Sequence, residues 1–349
     1  MTQIDKSKPV MITGATGFVA GWIVKKLLDE GITVHAAVRN PENEKKVGHL
    51  KEIASKAAGE IKFFKSDLLV EGSYAQAMEG CELVFHTASP FISNFKDPQK
   101  ELVDPAVKGT RNVLETANKT NSVKRVVLTS SAVAMYCDAS DIEGRVLSEK
   151  DWNTNASLDY QPYSYSKVEA EKAAWEMAEA QDQWDLVAVN PTFVLGPSLT
   201  PNLITSETFN ILKQMGDGTL KSGAPKLPFG MVDVRDLADI HFAAGYNAEA
   251  KGRYLSTAHD TSLLGLALSL APTYGKDYPL PKGAIPKWLL LAFGPMINKS
   301  LNRRYIRNNV NKEIKSDNSK SRRELGASYR PMQETMNDSF QFMIDHKLI

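Results

Sequence analysis

Tyr163 and Lys167 stand four residues apart in the run Pro162-Tyr163-Ser164-Tyr165-Ser166-Lys167, which reads as the start of a helix. That spacing brings a phenol and an ammonium out on one helix face, about one turn apart. Such a pair suits proton delivery to the alkoxide that forms when a carbonyl takes up a hydride. A phenol with a pKa near 10 exchanges protons poorly at neutral pH, and adjacent positive charge is expected to draw it toward the working range. The same lysine can hold the hydroxyls of a nicotinamide ribose. Spacing alone is cheap: Tyr278 and Lys282 share it, but Pro279 and Pro281 forbid the helix that would align them. Tyr165 is two residues from Lys167 and leaves another side of the helix, and Tyr160 precedes Pro162.

A carbonyl also needs a hydrogen-bond donor. The apolar run Arg125–Thr129 ends in Ser130 and Ser131, and strand alternation sends these two hydroxyls in opposite directions. Ser131 is the expected donor to the carbonyl oxygen, with Ser130 as its competitor. Register is not fixed by sequence, so the choice stays open at this point.

The elements that must carry these groups alternate strand and helix. Pro9–Thr13 reads as a buried strand that runs into Gly14-Ala15-Thr16-Gly17 and then a helix from Phe18 to Glu30. Gly14 allows the tight turn, Gly17 clears the backbone for a pyrophosphate, and Ala20 is small enough for close helix–sheet packing. Further strands are expected at Ile32–Val38, Ile61–Phe64, Glu82–His86, Arg125–Thr129 and Leu186–Asn190, with helices near 43–58, 103–120 and 162–180. This is an α/β chain with a doubly wound, mostly parallel sheet. Residues 1–190 would form the dinucleotide-binding domain. Residues 191–349 would form mainly a smaller substrate-binding region, with segments near 230–256 (Gly230–Val234 and Arg253–Ser256) returning to the main sheet. The loops Pro90 to Pro98, Leu195 to Met215 and Pro279 to Pro295 are expected to set pocket specificity.

The cofactor can be read at the end of the second strand, Val38-Arg39-Asn40. NAD-binding units place a carboxylate there for the ribose hydroxyls, whereas a guanidinium pairs with the 2′-phosphate of NADPH. Lys45 and Lys46 offer a second positive contact. Asp67 and Leu68, after the third strand, are expected beside the adenine, with Asp67 accepting from its amino group.

Composition narrows the partners. A formal charge of +1 on 349 residues creates no field that would gather nucleic acid or anionic membrane. Arg303, Arg304, Arg307, Arg322 and Arg323 read as a solvated helix face. Cys81 and Cys137 form neither a metal spacing nor a disulfide framework, so no metal site is expected and a reduced, cytoplasmic setting fits. The N-terminus lacks an apolar signal core, and Ile285–Phe293 is too short and interrupted to span a bilayer. A monomer or homodimer acting on a small carbonyl compound is expected.

The chain resembles the extended short-chain dehydrogenase/reductases, a Rossmann-fold superfamily. The resemblance rests on TGATGFVA, FHTASP (85–90), DPAVKGTRNVLETA (104–117), VVLTSSA (126–132), YSYSK (163–167), NPTFVLGP (190–197), VDVRDLA (232–238) and DNSKSRRELG (317–326). Within it the chain is similar to the dihydroflavonol-reductase-like branch, which includes cinnamoyl-CoA reductases and microbial NADPH-dependent carbonyl reductases. The resemblance implies that Ser131, Tyr163 and Lys167 form the catalytic triad and that Arg39 and Lys46 meet the 2′-phosphate. It extends the expected cofactor contacts to Thr13, Gly14, Thr16, Gly17, Phe18, Val19, Asp67, Leu68, Thr87, Ala88, Ser89, Thr129, Pro191, Thr192 and Val194. Two departures stand out: Tyr136 replaces an asparagine of plant flavonoid reductases, and Leu158–Tyr163 replaces the Asn-Trp-Tyr-Cys-Tyr of cinnamoyl-CoA reductases. The segment Glu169–Glu176 looks most like the microbial carbonyl reductases. The expected activity is NADPH-dependent reduction of an aldehyde, ketone or ketoester. The alternatives are a nucleotide-sugar epimerase or dehydratase, a hydroxysteroid dehydrogenase, and a non-enzymatic NADP-sensing protein.

Overall fold

The structure, a computed structural model, describes residues 2–89, 95–203, 206–297 and 301–349. Residues 90–94 of the Pro90–Pro98 loop and 204–205 of the Leu195–Met215 loop therefore lie outside the described residues. The first half alternates β1 (Val10–Thr13), α1 (Phe18–Asp29), β2 (Val34–Val38), α2 (Glu44–Lys56), β3 (Ile61–Lys65), α3 (Ala75–Met78) and β4 (Leu83–His86). It continues with α4 (Asp104–Asn118), β5 (Arg125–Thr129), α5 (Pro162–Glu179) and β6 (Asp185–Pro191). Then come β7 (Phe193–Leu195), α6 (Glu207–Gly216), β8 (Pro228–Asp233), α7 (Val234–Tyr246), β9 (Gly252–Ser256), β10 (His259–Ser262) and α8 (Leu263–Tyr274). Four helices follow: α9 (Lys287–Ile297), α10 (Arg303–Asn309), α11 (Ser319–Leu325) and α12 (Met332–Asp345).

Seven parallel strands form the main sheet in the order β3-β2-β1-β4-β5-β6-β9. Burial explains the composition of the central strands. β1, β2 and β4 are buried at every position, whereas edge strand β3 is not. Alternation splits the core into two layers. Val10, Ile12, Phe85 and Val127 pack with Ile23 and Leu27 of α1 and Leu237 and Ile240 of α7. Met11, Val84, Val126 and Leu128 face the other way, onto Met78 of α3, Val113 and Leu114 of α4 and Ala174 of α5. The chain reverses its direction of travel across the sheet between β1 and β4, and their carboxyl ends open the crevice where such folds bind ligands.

One expectation needs correction. The Gly230–Val234 segment does not rejoin the main sheet: β8 is the middle strand of a second, three-stranded sheet, parallel to β7 and antiparallel to β10. The place beside β6 is taken by β9, which pairs Val187 with Gly252 and Pro191 with Ser256. β8 instead passes over the ends of those strands. There Gly230 has no room for a side chain, since a Cβ would stand 2.6 Å from both Thr192 Cγ2 and Thr257 Oγ1. β7 and β8 share a separate core with α6, α8 and α12, built on Leu195, Phe209, Met231, Leu266 and Phe340. The five arginines also divide, three on α10 and two on α11, all exposed. Among the described residues no helix is long and apolar enough to cross a membrane.

Candidate active site

The candidate nucleotide cradle is the turn at the exit of β1. Gly14 takes φ +64, a left-handed conformation natural to glycine, and a Cβ there would approach Ala88 Cβ to 3.1 Å. Its N–H donates to Ala37 O at 3.1 Å, tying the turn to β2. Gly17 caps α1 without a side chain, and the first turn carries no acid, so the helix start offers its N–H groups to an anion. Thr13 supports this turn from behind. It is fully buried, and its Oγ1 accepts from Thr87 N at 3.1 Å and Ala88 N at 2.9 Å. The Thr87 hydroxyl in turn donates to Thr13 O. Both Thr13 and Thr87 thus lock the ends of β1 and β4 together, while Thr16, Phe18 and Val19 stay half-buried and Ser89 exposed. Open backbone donors at this helix start fit a dinucleotide pyrophosphate.

At the far end of β2, Arg39, Lys45 and Lys46 are all exposed, and none has an ion pair among the described residues. Their neighbour Lys51 differs, being paired with Glu44. Asp67 and Leu68 are half-buried in a loop that α4 holds in place. Asn112 Nδ2 donates to Leu68 O at 3.1 Å and Val70 O at 2.9 Å, and its Oδ1 accepts from Gly72 N at 3.1 Å. Gly109 makes this approach possible, because a Cβ there would lie 2.4 Å from Leu68 Cγ. Sequence reading missed both residues, although they belong to the Lys108-Gly109-Thr110-Arg111-Asn112 run.

The candidate catalytic pair lies on α5. Pro162 opens the helix, and Gln161 before it turns the chain through φ +56. Lys167 Nζ stands 5.9 Å from the Tyr163 ring centroid, so the two side chains do leave one face together. Ser130 and Ser131 diverge as strand geometry requires. Ser130 is buried, and its Oγ donates to Glu171 Oε2 at 2.5 Å. Ser131 is half-buried and opens a short 3-10 turn (Ala132–Ala134) that packs on α5, its Oγ accepting from Val133 N at 3.3 Å. The neighbouring Thr129 hydroxyl is engaged elsewhere, at 2.8 Å from Nε2 of His241 on α7. Pro191 is buried at the end of β6, Thr192 bonds back to Ser256 O, and Val194 O accepts from Thr208.

Electrostatics here run against one expectation. Burial pushes the Tyr163 phenol up to about 12 and the Lys167 ammonium down to about 8. The chain alone therefore does not draw the phenol toward neutrality: burial raises it, and the lysine beside it is itself buried. Glu171 opposes the fall of Lys167, and His86 stands near enough to feel that ammonium. His86 is held down to about 3 by burial and then by Lys167, so it is neutral, 3.0 Å from Thr13 Oγ1.

Glu171, Asn190 and Arg253 were not singled out from sequence. Glu171 could have been, four residues past Lys167 on the same face. Arg253 had no local signal.

The fold and the sequence likeness define a class. The chain belongs to the NAD dependent epimerase/dehydratase family, whose sequence pattern matches residues 10–255, within the dihydroflavonol-reductase and cinnamoyl-CoA-reductase-like branch of the extended short-chain dehydrogenase/reductases. It is 39% identical over 279 residues to a cinnamoyl-CoA reductase of Medicago truncatula, covering 78% of this chain and 84% of that one. It is 39% identical over 288 residues to tetraketide alpha-pyrone reductase 1 of Arabidopsis thaliana, covering 80% and 85%. Among solved structures, the yeast methylglyoxal/isovaleraldehyde reductase Gre2 complexed with NADPH superposes with a TM-score of 0.78 at 27% identity, over 97% of this chain and 99% of that one.

Proposed function

We propose that this protein is an NADPH-dependent reductase of an aldehyde, ketone or ketoester. The observation that carries the reading is that Tyr163 and Lys167 share one face of α5 and that the short turn opened by Ser131 packs against the same helix. The relatives support it, being reductases by name, and one superposed neighbour holds NADPH.

The cradle residues Gly14, Thr16, Gly17, Phe18 and Val19 would hold the pyrophosphate, Arg39 and Lys46 the 2′-phosphate, and Asp67 and Leu68 the adenine. When bound, the dinucleotide supplies the hydride and a positive charge near the phenol once oxidised. Ser131 Oγ donates to the carbonyl oxygen, where one aimed hydrogen bond is worth about 2–4 kcal/mol as charge develops. Tyr163 delivers the proton to that oxygen. Lys167 holds the nicotinamide ribose and stabilises the phenolate left behind. Ser130 is not the donor in this reading, since its hydroxyl is turned to Glu171.

The test is Tyr163→Phe assayed by NADPH oxidation across aliphatic aldehydes, aryl ketones, ketoesters and diketones. The wild type consumes NADPH with at least one class. The variant still binds NADPH and loses turnover; retained turnover overturns the assignment. Protein that arrives with tightly bound NAD and oxidises no NADPH would instead fit an epimerase or dehydratase.

A further inference from the structure

Behind the triad lies a buried polar knot centred on Glu171, which is 1% exposed. Its Oε2 accepts from Ser130 Oγ at 2.5 Å, Asn190 Nδ2 at 2.8 Å and Arg253 Nη2 at 3.3 Å. Its Oε1 accepts from Arg253 Nε at 2.7 Å and Trp175 Nε1 at 3.2 Å. These donors come from the end of β5, from β6, from β9 and from α5 itself. Asn190 Nδ2 also donates to Ser131 O at 3.2 Å, and its buried Oδ1 has no partner. Arg253 is fixed in turn, donating to Asp151 O at 2.5 Å and Glu149 O at 3.2 Å, with its guanidinium 4.0 Å from the Trp152 ring centroid.

Five donor atoms face this buried carboxyl and offset the hydration it has lost. A pair needed for packing alone could be replaced by apolar side chains of similar volume. This one sits one helical turn beyond Lys167 and touches the residue preceding Ser131. The groups facing Lys167 are Tyr163 and Glu171 on α5 and neutral His86 at the end of β4, while Arg253 of β9 faces Glu171.

We propose that Glu171, with Arg253 as its counter-ion, is a positioning pair for the proposed reduction: it fixes the Ser130–Ser131 main chain against α5 and sets the charge balance felt by Lys167. This rests on the assignment of Lys167 above, and it makes a prediction of sign. Glu171→Gln leaves the Arg253 charge unbalanced and makes Lys167 easier to deprotonate. Arg253→Gln leaves the Glu171 charge unbalanced and makes Lys167 harder to deprotonate. A merely structural bolt moves both variants the same way or moves neither.

The decisive measurement is an NMR titration of [13Cε]lysine-labelled full-length protein, with and without NADPH, the Lys167 signal being assigned by its loss in Lys167→Arg. The Glu171→Gln midpoint moves to lower pH and the Arg253→Gln midpoint to higher pH, each by about one pH unit. Ser130→Ala, which changes no charge, leaves the midpoint in place. If one charge variant fails to fold, the direction of the other decides alone. Midpoints that stay put, or that move in one direction for both variants, overturn the proposal. Because the readout is a titration rather than turnover, its failure is distinct from retained activity in Tyr163→Phe, which would overturn the reductase reading itself.

Discussion

Replacing Lys167 with methionine should remove turnover while making the protein, without cofactor, more stable at neutral pH. Lys167 is only 9% exposed, and burial is the leading cause of its fall from 10.5 to about 8, with Glu171 acting against it. At about 1.36 kcal/mol per pH unit, that difference means the folded state carries a cost of about 3 kcal/mol for holding this ammonium. The unfolded chain binds the proton more tightly, so the cost is present in full below pH 8 and fades as pH rises toward 10.5. Methionine fills a similar volume with no charge to desolvate. Urea denaturation without NADPH, at pH 7 and again near pH 10, is the assay. The variant should gain about 2–3 kcal/mol at pH 7 and lose most of that advantage near pH 10. A variant no more stable than wild type at pH 7, or a gain that ignores pH, would refute the claim that the site stores unfavourable charge burial for use in chemistry.

Arg39→Asp should raise the KM for NADPH by about tenfold or more, since charge-assisted hydrogen bonds contribute roughly 1.5–3 kcal/mol each. The KM for NADH should move far less, and steady-state kinetics showing an equal effect on both cofactors would count against the 2′-phosphate contact. Acid should weaken the fold through its buried neutral imidazoles. His241, wholly buried, is held down to about 4 by burial, so stability present above pH 6.5 is lost as pH falls toward 4. At pH 5 this amounts to about 2 kcal/mol, and His241→Gln should flatten the loss between neutral pH and pH 5 by that much in urea titrations. An unchanged pH dependence would remove His241 from the account.

Much of the arrangement was legible in the chain because the deciding physics is local. Helical spacing placed Tyr163 and Lys167 on one face, and proline ruled out the same spacing at Tyr278 and Lys282. The tight turn expected at Gly14 and the missing side chain at Gly17 marked the passage from β1 into α1. Continuous apolar runs announced strands buried on both sides. Other outcomes hang on which distant segments meet. Alternation said that Ser130 and Ser131 diverge, but only the packing of α5 on the sheet decided that Ser130 turns to Glu171. Nothing near residue 253 announces that its guanidinium crosses to α5, and nothing in Gly230–Val234 says that the place beside β6 is already filled by β9. The direction of the Tyr163 and Lys167 shifts was likewise decided in three dimensions. Spacing shows that two groups are neighbours, whereas desolvation depends on everything that excludes water around them.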